Sequence, residues 1–189
     1  MIKQRIKYRS LVAKPYCAEL ACIQAVMNRH GLNGYSQEDL GFEMGLVVPV
    51  EDYLMFNKIH ISVELPPSGY GARIHLTKYD PNKFFKEHKI PLVAKLHLPW
   101  EIANLPEFVA VQHELDRDVM AIYDEAVFNG NGESKGCAAL IEGVTYEQAA
   151  VIGPTKSGFK RRKVKLENLL NAVETREEHG GGFWLFREI

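Results

Sequence analysis

The residues best suited to chemistry in this 189-residue chain are its three cysteines, at 17, 22 and 137, and its seven histidines. Cys17 stands at the head of a segment (CAELACIQAVMNRH) in which Leu20, Ile23, Val26 and Met27 recur at helical spacing. A thiol at a helix start feels the positive end of the peptide dipoles, which favours the thiolate, the form that attacks carbonyl carbon. Cys22 lies on the apolar stripe of the same helix and reads as core. The cysteine spacings fit no paired zinc-ligand pattern, and the histidines form no HExxH or other ligand pair, so no metal or other cofactor is expected. Gly180-Gly181-Gly182 lacks the Lys-Ser/Thr that completes a phosphate loop and reads as a flexible turn. The basic run Lys160, Arg161, Arg162 and Lys163 reads as a solvated strand edge.

A thiol nucleophile needs a framework that brings a base to it. The Cys17 helix is expected over residues 17–30, with Gly31 as its stop. Ser36-Gln37-Glu38-Asp39 has the form of a capping box and opens a short helix to about residue 44. Residues 46–79 carry five Pro and Gly breakers and read as turns with one short helix. Asp80-Pro81 starts another helix, running to His88. Strands are expected at 90–98, 107–114 and 119–127, then a hairpin of 137–144 with 148–153, and a further strand at 161–165. Leu166, Leu169, Leu170 and Val173 mark an amphipathic helix over 166–176, and 183–186 closes the chain as a strand. Helices first and antiparallel strands afterwards make an α+β pattern, with no internal repeat.

Composition bounds the rest. With 46% hydrophobic residues a full core can form, and a net charge of −1 with mixed signs argues against a nucleic-acid partner. No apolar run reaches the ~18–20 residues that span a bilayer, so no membrane partner is expected. The basic N-terminus is followed by no apolar stretch, so it does not read as a signal peptide, and three unpaired thiols suit a reducing cytoplasm.

Tyr16-Cys17-Ala18-Glu19-Leu20-Ala21-Cys22-Ile23-Gln24, leading to His30-Gly31, resembles the nucleophile helix of the papain-like cysteine peptidases, in particular the bacteriocin-processing leader peptidases and their stand-alone relatives. The helix after Ser36, the strand at Ile90-Pro91-Leu92-Val93, the segment from Gly136 to Pro154, and the last helix and strand resemble successive elements of that family. The resemblance implies a papain-like fold over residues 1–189 as one domain, with 99–135 as an insertion, and Cys17 in the nucleophile position. The family spaces Cys and Gly one residue closer than Cys17 and Gly31, which leaves Ala18 as the other occupant of that slot.

The other family roles are not filled. The family places its histidine directly after the glycine that opens the hairpin, and here Cys137 follows Gly136. Gly153-Pro154 stands in place of Asp-Pro, and Leu11 stands where the oxyanion-hole glutamine is expected, with Gln4 the nearest glutamine. If the hairpin docks as in the family, Cys17 and Cys137 face each other across the cleft, close enough for a reversible disulfide. The first expectation is a degenerate, non-catalytic domain that binds a peptide or protein. Against it stand an active cysteine hydrolase with Cys17 as nucleophile and His113 or His97 as a relocated base, and a structural subunit presenting Tyr53, Phe56 and Trp100. Of the remaining histidines, His30 and His88 read as helix-end residues and His179 as exposed, while His60 and His75 lie in the turn-rich segment 46–79.

Overall fold

The computed structural model describes residues 8–132 and 134–189. Gln4 and the basic opening of the chain lie outside them. Helix α1 (Ala18–Arg29) and α2 (Gln37–Glu43) come first, followed by two three-residue strands, β1 (Val47–Pro49) and β2 (His60–Ser62), paired in parallel. Helix α3 (Pro81–Glu87) leads into β3 (Leu92–His97), α4 (Leu105–Glu114), β4 (Asp118–Asp124) and α5 (Glu125–Asn129). Strands β5 (Gly136–Val144), β6 (Gln148–Thr155) and β7 (Gly158–Lys165) form a meander, and α6 (Leu166–Glu174) and β8 (Gly182–Glu188) end the chain. The six long strands make one antiparallel sheet in the order β3-β8-β4-β5-β6-β7. The α+β expectation holds at that level.

Strand alternation explains why the sheet needs helices on both faces. Met120, Ile122, Ala138, Leu140, Trp184 and Phe186 point to the layer of α1 to α3. Val119, Ala121, Tyr123, Ala139, Ile141, Phe183 and Leu185 point to the layer of α4 and α6. Every residue of β4 is buried, as expected of a central strand covered on both sides.

Local signals placed most elements. The Ser36 box is complete: its hydroxyl accepts from the Asp39 N–H at 3.1 Å, and the Ser36 N–H donates to the Asp39 carboxylate at 2.8 Å. Ser36→Ala is expected to lower stability by ~1 kcal/mol, read as a shift of the urea midpoint at constant slope. Asp80 caps α3, and its carboxylate accepts from the Asn82 N–H at 2.8 Å.

Three expectations need correction. Residues 107–114 are helix, not strand. Asn104 caps α4 by accepting from the Glu107 N–H, Pro106 sits in its first turn, and Leu105, Val109 and Gln112 make its buried face at helical spacing. The strand expected to reach 127 stops at Asp124, whose carboxylate accepts from the Val127 N–H and starts α5. Residues 46–79 hold β1 and β2 besides their turns. The strand expected at 119 is β4, which lies between β8 and β5 in the middle of the sheet.

Candidate functional site

A cleft of about 1200 Å³ opens where the start of α1 meets the head of β5. The segment 13–19 lines one side, the loop 65–70 a second, and residues 134–137, 154–156 and the 175–179 turn after α6 complete it.

Cys17 is the N-cap of α1, with its N–H donating to Lys14 O at 3.1 Å and no side-chain cap bond. The residue before it, Tyr16, holds a left-handed backbone at φ +62°, a conformation that costs a non-glycine residue about 1–3 kcal/mol. The surrounding contacts hold it there. Its hydroxyl donates to Asp52 at 2.7 Å and its ring meets Tyr70 edge-on at 5.7 Å. The Asp52 bond, with burial and further carboxylate charge, pushes the Tyr16 phenol up to about 12. The bend therefore turns α1 so that Cys17 faces inward.

The Cys17 thiol is fully buried. Burial pushes it up to about 12, Glu19 and Glu38 add to the rise, and Lys14 opposes them. No imidazole is among the groups that act on it. Desolvation here outweighs the helix dipole, and the thiolate that the N-cap position promised is disfavoured.

Cys137 lines the same cleft, but its side chain belongs to the opposite core layer, with Tyr123 and Ala139, while Cys17 belongs to the layer of α1. The reason is the two-residue period of β5: Ala138 and Leu140 face α1, so Cys137 faces away. Burial pushes Cys137 up to about 11. All three cysteines are free thiols. Both residues of the expected thiol pair line the cleft, and they pack into different core clusters.

Neither histidine expected as a relocated base lines the cleft. His97 ends β3 and stacks obliquely against Phe108 at 5.3 Å. His113 lies in the last turn of α4, beyond the sheet from α1. Burial lowers both imidazoles from their ordinary value, and the Nε2 atom of each is buried without a hydrogen bond. The imidazole that does line the cleft is His179, half-buried in the turn after α6. Its sequence setting, beside three glycines, reads as exposed loop, and only the fold brings that loop to the head of β5.

The cleft lining also holds Glu19 and Arg176, charges that the sequence did not single out, and Arg73 lies outside the lining but acts on Glu19. Glu19, in the first turn of α1, is buried, and burial raises its carboxyl. Its own backbone N–H, Arg176 and Arg73 oppose that rise. Arg73 is buried too, with its guanidinium donating to Gly71 O at 2.9 Å and Gly69 O at 2.7 Å. Arg176 donates to Ser68 O at 3.0 Å. Glu19 carried a signal, a carboxylate two residues past Cys17. Arg176 carried none, because a distant segment brings it there.

Among the described residues no cluster of three or more His, Cys, Asp or Glu side chains is placed to hold a metal ion, and no helix is long and apolar enough to cross a membrane. Phe56, expected on the surface, is buried, whereas Tyr53 and Trp100 are exposed. No protein-family model matches the chain, and no curated protein matches its sequence.

Proposed function

We propose that this chain has a papain-like fold that has lost peptidase chemistry and uses its cleft to bind a peptide without cleaving it. The observation that carries this reading is the state of Cys17: fully buried, pushed up to about 12, and without an imidazole among the groups that act on it. A cysteine hydrolase requires the reverse, an accessible sulfur whose proton a neighbouring base removes.

The cleft suits a peptide in its walls. Tyr16, Tyr70, Met55, Leu65 and Pro66 give an apolar and aromatic side, and polar groups from α1 and the 175–179 turn give the other. A backbone with alternating side chains fits such a two-sided groove.

Alkylation separates binding module from enzyme. In the native protein at pH 7.5, iodoacetamide is expected to modify Cys17 more than about tenfold more slowly than it modifies glutathione, followed by mass spectrometry of the Cys17 peptide. Modification faster than glutathione, slowed by His179→Gln, would overturn the reading in favour of a hydrolase whose base is His179.

A further inference from the structure

Resting on the peptide-binding reading, we propose that the cleft recognises a carboxylate, with Arg176 as its anchor, and that the carboxylate is the C-terminus of the bound peptide.

Arg176 is 9% exposed, yet among the described residues it forms no ion pair. Its side chain has one hydrogen bond, from Nη2 to Ser68 O, and its Nε–H is buried with no acceptor. A guanidinium carries five donors in a planar fork and is charged at every physiological pH. Burial in this state is costly unless an anion completes the site. Glu19 acts on Arg176 only at a distance beyond ion pairing, and it shares that role with Arg73. Arg73 is hydrogen-bonded to Gly71 O and Gly69 O and does not line the cleft, so Arg176 is the guanidinium at the cleft.

The placement of Arg176 is equally specific. A Cβ at Gly136 would stand 2.6 Å from Nη2 and 3.1 Å from Cζ, so the guanidinium lies against the backbone at the head of β5. Glycine at 136 is what admits it. The start of the twelve-residue α1 opens onto the same cleft and adds the positive end of its dipole, beside the Glu19 carboxylate that its own N–H already holds. A planar carboxylate matches the fork of Arg176, and the apolar side at Met55, Leu65 and Pro66 accommodates the side chains that precede it. A terminal carboxylate is favoured over a side-chain one because Arg176 and the apolar wall line the same cleft, so a chain that ends on Arg176 leaves its last side chains against that wall.

Fluorescence polarisation with three amino-terminally labelled octapeptide pools tests this on the native chain. One pool lacks Asp and Glu and ends in a free carboxyl group. The second is the same pool amidated, and the third is amidated with one internal Glu. The free-acid pool is expected to bind about tenfold or more tighter than the amidated one, the scale of a charge-assisted hydrogen bond. That ratio is expected to fall to within twofold in Arg176→Gln, and to recover in part in Arg176→Lys, which keeps the charge but not the fork. Gly136→Ala, which leaves Arg176 in the chain but displaces its guanidinium, is expected to lower the ratio as Arg176→Gln does, with near-UV circular dichroism checking the fold of each variant. Binding of the internal-Glu pool as tight as that of the free-acid pool would overturn the assignment to the C-terminus. Equal binding of all three pools would overturn carboxylate recognition and leave peptide binding standing. Binding of none would overturn both.

Discussion

Asp118→Ala is expected to remove about 3–5 kcal/mol of stability, the scale of breaking a buried ion pair by deleting one partner, and to lower Tm by roughly 6–20 °C. Asp118 opens β4 and is completely buried. Its carboxylate accepts from the Tyr8 hydroxyl at 2.6 Å and from Arg29 Nη2 at 2.7 Å, and it lies 2.9 Å from His30 Nε2. These bonds tie the last turn of α1 and the N-terminal segment to the middle of the sheet. Deleting the carboxylate leaves the Arg29 guanidinium with the exposed Asp116 as its remaining ion-pair partner and leaves the buried Tyr8 hydroxyl without an acceptor. The loss falls at the far end of α1 from Cys17, so thermal unfolding should register it while the cleft of the folded fraction keeps its shape. An unchanged Tm would remove Asp118 as the hub of this fold.

The same network sets a pH dependence. The bond to Asp118 raises His30 above its ordinary value, burial opposes that, Glu188 at 2.9 Å from Nδ1 adds to the rise, and Arg29 opposes it. A histidine whose folded-state pKa is raised contributes stability that is fully present below the unfolded value of about 6.5 and is lost as pH rises through the folded one. Native stability should therefore fall above about pH 6.5, and His30→Gln should flatten that fall. Urea midpoints measured between pH 5.5 and 8.5 give the slope for both proteins.

How far the sequence foretold this molecule depended on the range of the signal. Ser36 and Asp80 announced helix starts because a cap needs only the next two or three residues, and α1 announced itself through one apolar stripe. Residues 107–114 misled because FVAV is a short apolar run rich in strand-forming residues, while the decisive information lay just before it, in the Asn104 cap and Pro106. The site was legible in its location and not in its chemistry. Cys17 does head a helix at a cleft, but its proton affinity is set by burial, and burial is a sum over the whole fold. Cys137 does line the cleft at the head of β5, but its packing with Tyr123 and Ala139 depended on strand register, which the sequence did not show. Arg176, whose Nε is buried without an acceptor, was invisible because only the folded turn after α6 carries it to Gly136.

That turn supplies the other large effect. Gly181, read from sequence as flexible, is a packing constraint. A Cβ there would stand 2.5 Å from Val173 O and 2.6 Å from the carbonyl carbon of Arg176, and both are backbone atoms at the end of α6. No rotamer change relieves such contacts, so the end of α6 must move away from β8. The Gly181 N–H donates to Arg176 O at 2.8 Å, so the displaced backbone is the one that carries the anchor. Gly181→Ala is therefore expected to destabilise by about 3 kcal/mol, the upper range for overpacking, and to lower Tm by roughly 6–12 °C. Gly132→Ala makes the contrast, because a Cβ at Gly132 meets nothing within 4 Å, leaving only its backbone at φ +98° to oppose the change. If both glycines tolerate alanine equally, the α6–β8 junction is loose. A selective loss at Gly181, accompanied by weaker binding of free-acid peptides in the fraction that still folds, would tie the closeness of that junction to the position of Arg176.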